Sequence, residues 1–106
     1  MRLYHNPRCS KSRQALELLK SKGVEFEEYR YLDVGIATED IEILAGLPGI
    51  IRINEAEFKF DKFDLEDLPK LKEKLVQIPK LLQRPVLINA NEAIIGRPPE
   101  NILDLI

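Results

Sequence analysis

The sequence predicts a single α/β domain, residues 1–106, that opens β-α-β, closes β-β-α and carries helices between the two ends. The first observation behind this is a change of period. A short alternating segment at the N-terminus gives way to apolar residues at helical spacing, then to an aromatic-rich alternating stretch. The second is a pair of apolar runs, Val86-Leu87-Ile88 and Ala93-Ile94-Ile95, on either side of an asparagine-bounded turn. The third is size. A chain of 106 residues with 44% hydrophobic and 32% charged side chains can bury roughly 65% of its unfolded surface, enough for one modest core without disulfide or metal support.

Taken in order, Arg2-Leu3-Tyr4 alternates as a short strand and His5-Asn6-Pro7 breaks it into a loop. From Lys11 to Lys22 the residues Ala15, Leu16, Leu18 and Leu19 recur at helical spacing, with Ser10 as the expected N-cap and Lys22-Gly23 as terminator. Val24 to Leu32 alternates through Phe26, Tyr29 and Tyr31 as a second strand, ended by Asp33 and Gly35. Thr38-Glu39-Asp40 starts a second helix, matched to the helix dipole, that runs through Ile41, Ile43 and Leu44 to Gly46. After the Leu47-Pro48-Gly49 turn, Ile50 to Phe60 has no clean period and reads as irregular, with one helical turn near Arg52. Asp67 caps a further helix that tolerates Pro69 early, presents Leu68, Leu71, Leu75 and Val76 as a stripe, and stops at Pro79. The two apolar runs then form a hairpin, and Glu100 to Ile106 a short final helix with proline in its first turn.

Composition excludes several classes of function. Sixteen Lys and Arg against eighteen Asp and Glu leave a net charge of -2, so no large electrostatic attraction favours a nucleic acid. The start, MRLYHNPRCSKSR, has no apolar stretch long enough for a signal peptide or membrane span, and the expectation is a soluble cytoplasmic protein, with a monomer the simplest state. One cysteine, Cys9, cannot close an internal disulfide, and with His5 the only histidine there is no zinc-ligand set of usual spacing. No metal is expected.

Cys9 acts as a lone thiol if it acts at all. It stands between a strand-ending loop and a helix start, where free backbone N–H groups and the helix dipole favour an anion. A thiol at its reference pKa is only about 3% ionised at pH 7, so such a place matters chemically, although a small packed residue at a helix entrance reads the same way. Cys9-Ser10-Lys11-Ser12 is a C-x-x-S pattern in which a hydroxyl replaces the second sulfur of a dithiol. Ser12 is placed to donate to the thiolate or simply to cap the helix. His5, four residues before Cys9, is read as structural, and Asn6-Pro7 as shaping the turn. Arg52, Arg84 and Arg97 each lie beside a turn signal, and converging guanidiniums would make an oxyanion clamp.

The stretch Tyr4-His5-Asn6-Pro7-Arg8-Cys9-Ser10-Lys11-Ser12-Arg13, taken with Leu82-Gln83-Arg84-Pro85-Val86 and Ile95-Gly96-Arg97-Pro98-Pro99-Glu100, resembles the glutaredoxin-type arsenate reductase family over nearly the whole chain. The first motif alone is moderately specific; its order and spacing with the two later Arg-Pro segments make the combination strong. The resemblance implies a thioredoxin-like fold with a mixed four-stranded sheet, a helical insertion in the middle and a cis proline at Pro85 facing the cysteine loop. It implies Cys9 as nucleophile, Arg52, Arg84 and Arg97 as the oxyanion-binding arginines, and His5, Ser12 and Arg13 as tuning the nucleophile loop. It further implies reduction of arsenate to arsenite with no bound cofactor, using glutathione and a glutaredoxin as external thiols because the chain holds no second cysteine. Two alternatives stay open: a monothiol, glutathione-linked oxidoreductase without arsenate activity, and a non-catalytic module like the Spx-type regulators, whose usual C-x-x-C switch would need a cysteine where Ser12 stands.

Overall fold

The computed structural model describes all 106 residues. Strand β1 (Arg2–Tyr4) pairs parallel with β2 (Glu27–Tyr29), joined by helix α1 (Ser10–Ser21). On its other side β1 pairs antiparallel with β3 (Val86–Asn89), which turns into β4 (Glu92–Ile95). The sheet order is β2-β1-β3-β4, mixed and four-stranded. The β-α-β and β-β-α ends thus share one sheet, as the resemblance implies.

Period-two alternation divides the core between the two sheet faces. Leu3 and Leu87 face α1 and pack with Ala15, Leu16, Leu19 and Ile102. Tyr4, Val86 and Ile88 face the opposite way and pack with Tyr31, Leu44, Leu71, Leu75, Leu81 and Leu82. That second layer is the insertion, comprising α2 (Tyr31–Val34), a 3-10 turn (Thr38–Asp40) leading into α3 (Ile41–Ala45), α4 (Ala56–Phe60), α5 (Leu68–Gln77) and a 3-10 turn (Pro79–Leu81). Its entrance is tied to β1 by Tyr4 Oη, which donates to Asp40 Oδ2 at 2.6 Å, and by Arg2 Nη1, which donates to the same oxygen at 2.8 Å. Its exit is tied by a single antiparallel bridge between Ile51 and Leu82.

Several boundaries differ from expectation. The strand expected over Val24 to Leu32 is paired only at Glu27–Tyr29, because Tyr31 leaves the sheet to begin α2 and buries its ring in the insertion core. Arg52 opens a single i→i+3 turn, its carbonyl accepting from the Glu55 N–H at 3.1 Å while its own N–H donates to the Leu81 carbonyl at 2.8 Å beside the bridge; the regular helix of this region begins at Ala56. Asp67 caps α5 through Oδ1, which accepts from the Lys70 N–H. Of its four-residue stripe only Leu71 and Leu75 are buried, while Leu68 and Val76 are about half exposed. The closing helix is a 3-10 helix, Pro99–Leu105, whose Leu105 carbonyl accepts from Asn89 Nδ2 at 2.7 Å.

The peptide bonds Arg84-Pro85 and Arg97-Pro98 are both cis. They meet where β3 begins and β4 ends: the Gly96 N–H donates to the Pro85 carbonyl at 2.8 Å. A Cβ at Gly96 would lie 2.8 Å from Pro85 Cγ and 3.0 Å from Ile102 Cγ2, so this approach requires glycine. Gly96→Ala is expected to cost about 1–3 kcal/mol through overpacking, read as a lower urea midpoint at unchanged m-value.

Candidate active site

The loop after β1 sets the sulfur. Asn6 Oδ1 accepts from the Arg8 N–H at 3.0 Å, and the Cys9 N–H donates to the Asn6 carbonyl at 3.0 Å. This compact turn delivers Cys9, not Ser10, to the N-cap of α1; Ser10 is already helical. No side-chain oxygen caps the helix. The half-buried Cys9 sulfur instead lies by the open first turn, close to the N–H groups of Ser12 and Lys11. Burial pushes the thiol pKa up, but the Ser12 N–H, the Arg84 guanidinium and the Lys11 N–H outweigh it, and the net direction is down.

Ser12 is fully buried, and its hydroxyl serves the loop. Ser12 Oγ accepts from the Asn6 N–H at 3.0 Å and shares a 2.7 Å hydrogen bond with His5 Nδ1. It is the backbone of Ser12, not its hydroxyl, that addresses the sulfur. Arg13 Nη1 donates to the Pro7 carbonyl at 2.9 Å, holding the loop from outside.

His5 is buried, and burial lowers its pKa below 6.5. The unfolded chain therefore takes up this proton at a higher pH than the folded one. In that window the unfolded state binds more protons, so stability falls as pH drops below about 6.5 and levels off once both states are protonated. Urea unfolding between pH 7.5 and 5 is expected to show this slope in the wild type and to lose it in His5→Asn. The depressed carboxylate of Glu55 acts only at lower pH, below about 4.5.

Arg84 immediately precedes the cis Pro85. β3 runs antiparallel to β1, so its start lies at the sheet end where β1 stops and the cysteine loop begins, and the Arg84 guanidinium is close enough to the Cys9 sulfur to draw its pKa down. Arg97, after β4, donates from Nη1 to the Arg84 carbonyl at 2.8 Å. Arg52 donates from Nε to Glu55 Oε1 and from Nη1 to Gln83 Oε1, both at 2.8 Å. Glu55 Oε1 also lies 3.8 Å from Arg84 Nη1. Thus Arg52 and Arg84 meet across one carboxylate, and Arg97 joins them through the Arg84 backbone. The hydrogen bond from Arg52 holds the Glu55 pKa below the usual range against the opposing effect of burial.

A hollow of about 700 Å³ along the outer face of α1, lined in part by Ser10, Arg13, Gln14 and Glu17, contains neither Cys9 nor Arg52, Arg84 or Arg97. A second hollow, of about 440 Å³, is lined in part by Gln83 and Arg97.

A family model described as the ArsC family matches residues 4–105. The chain belongs to the ArsC family. As an ArsC chain it is 38% identical to the uncharacterized protein YfgD of Escherichia coli K12, over 100% of this chain and 96% of that protein. It is 34% identical to an arsenate reductase of Haemophilus influenzae, over 98% and 97% of the two chains. The solved structure of an arsenate reductase from Vibrio cholerae matches it with a TM-score of 0.84 and 30% identity, covering 100% of this chain and 98% of that one. The fold is the thioredoxin-like α/β fold of arsenate reductase structures.

Three residues around Arg52 and Arg84 were not singled out by sequence reasoning: Glu55, Gln83 and Tyr31. Glu55 stands three residues after Arg52, the spacing of an ion pair along a helix, and that was the available signal. Gln83 is visible only through its contact with Arg52. Tyr31 reads as one more aromatic in a strand; its hydroxyl lies near Arg84, Arg52 and Cys9 only because the chain leaves the sheet there.

Proposed function

We propose that this chain is an arsenate reductase, with Cys9 as nucleophile and Arg52, Arg84 and Arg97 as the anion clamp. What supports this reading is that Arg52, Arg84 and Arg97 are tied together through Glu55 and the Arg84 carbonyl, at the sheet end where the cysteine loop begins, with the Arg84 guanidinium among the groups that draw the Cys9 pKa down. The guanidiniums bind the arsenate oxygens and disperse their charge, and the Cys9 thiolate attacks arsenic. One arsenic–oxygen bond breaks as the sulfur–arsenic bond forms, and that oxygen leaves as water after taking up protons from the medium. Arsenic is still pentavalent in this thiol ester.

Reduction to arsenite needs two electrons, and Cys9 is the only thiol in the chain. Glutathione attacks the ester, forming a second sulfur–arsenic bond as another arsenic-bound oxygen leaves as water, and a glutaredoxin thiolate then attacks the glutathionyl sulfur, taking it as a mixed disulfide as that sulfur–arsenic bond breaks. The electron pair is left on arsenic, and arsenite departs by hydrolysis from Cys9. Purified protein given arsenate, glutathione and glutaredoxin is expected to form arsenite only when all three are present. No arsenite above the protein-free background would overturn the reading.

A further inference from the structure

Two side-chain polar atoms are buried without a hydrogen-bond partner, Tyr31 Oη and Arg84 Nε. Other buried polar groups are satisfied: Tyr4 Oη donates to Asp40, and His5 pairs with Ser12. Folded proteins rarely leave such groups unmatched, and the exceptions gather where a ligand or a reaction completes them. Both orphans belong to one place. Tyr31 is 0% exposed, and its ring stacks at a tilt against Tyr4 with centroids 5.9 Å apart, so its hydroxyl cannot swing out to water. That hydroxyl lies beside the Arg84 guanidinium, near enough to feel its N–H groups as a weak hydrogen bond, and within electrostatic reach of Arg52 and Cys9; what has no acceptor is the phenol's own proton.

The chemistry of the missing partner follows. Arg84 Nε–H can only donate. Burial raises the Tyr31 pKa to about 12, so the phenol keeps its proton at neutral pH and has a donor to offer. Two convergent donors, set among guanidiniums, call for an acceptor rich in oxygen and negative charge.

We propose that Tyr31 is a further anion-binding residue of this site, its O–H donating to an oxygen of the oxyanion held against Cys9, with Arg84 Nε donating to the same anion. This rests on the arsenate reductase reading and adds to it a neutral donor from the insertion. The clamp is then built from both layers around the sheet. A tetrahedral oxyanion has oxygens enough for the arginines and the phenol together, whereas a disulfide ligand offers sulfurs that accept weakly.

The test is the rate of Cys9 alkylation by iodoacetamide in rising arsenate, with inorganic phosphate as a second arm, in wild type and Tyr31→Phe. The wild type is expected to be protected. In Tyr31→Phe the half-protecting concentration should rise about 10- to 100-fold, the loss of one hydrogen bond to a charged acceptor. The anion-free pH profile of Cys9 alkylation should move little, since a neutral phenol adds no charge beside the sulfur, and the melting temperature should hold or rise, because the proton of the lost hydroxyl has no acceptor in the free protein. Equal protection of the two proteins would overturn the inference while leaving the reductase reading intact. A shifted anion-free pH profile would also overturn it, since the phenol would then serve the sulfur. Failure of both anions to protect the wild type would sink the oxyanion reading and the inference with it.

Discussion

Cys9→Ser is expected to reduce arsenite formation by on the order of 10⁴-fold or more, to background, since a serine hydroxyl at neutral pH supplies almost no anion to attack arsenic. The same substitution is expected to leave the fold intact or strengthen it slightly. Cys9 occupies an N-cap that no side-chain oxygen serves, and serine is among the preferred residues there, typically contributing about 0.5–1 kcal/mol over a poor cap. An inactive protein with an unchanged or higher melting temperature would separate chemistry from stability at one position. Turnover surviving in Cys9→Ser would remove the mechanism.

Arg84→Ala is expected to lower kcat/KM for arsenate by about 10²–10³-fold, the usual cost of removing one preorganised donor from a site of developing charge. Arg84 has two tasks, so two measurements are needed. It lowers the thiol pKa together with the Ser12 and Lys11 amides, and the pH profile of Cys9 alkylation should therefore move upward in Arg84→Ala. It also faces Glu55 across 3.8 Å. Arg84→Lys, which keeps the charge and loses the forked donors, should restore most of the alkylation profile and little of the turnover. Recovery of both by lysine would mean that the charge alone matters.

How much of this could be read beforehand depended on whether local chemistry or long-range packing decided each element. β1, α1 and the β3–β4 hairpin were legible, because their apolar periods are clean and their breakers (His5-Asn6-Pro7, Lys22-Gly23, Asn89 to Asn91) are unambiguous. The insertion was less so. Phe58 packs inward while Phe60 is 95% exposed, which blurs any period across Ile50 to Phe60 and hides α4. Tyr31 carried a strand-like context, yet tertiary packing took it out of the sheet. Ser10 looked like a better cap than Cys9, but the Asn6 turn fixes where the helix starts.

The site shows the same division. Cys9 and the Arg-Pro segments announce themselves by type and spacing, whereas Gln83 and Tyr31 gain meaning only from neighbours more than twenty residues away in the chain, and Glu55 shows locally only its pairing with Arg52, not its approach to Arg84.

The ladder between β1 and β3 has a mechanical implication. Tyr4 lies opposite Val86 and Leu3 opposite Leu87, one residue pair short of the segments that carry sulfur and guanidinium. Sliding one strand past the other by two residues would preserve every inward-facing side chain, yet would carry Arg84 about 7 Å along the strand direction. The alignment of two three- or four-residue strands therefore acts as the gauge that sets the distance between the Cys9 loop and Arg84, and core substitutions at Leu3 or Leu87 would be felt as a change in that distance as well as lost packing.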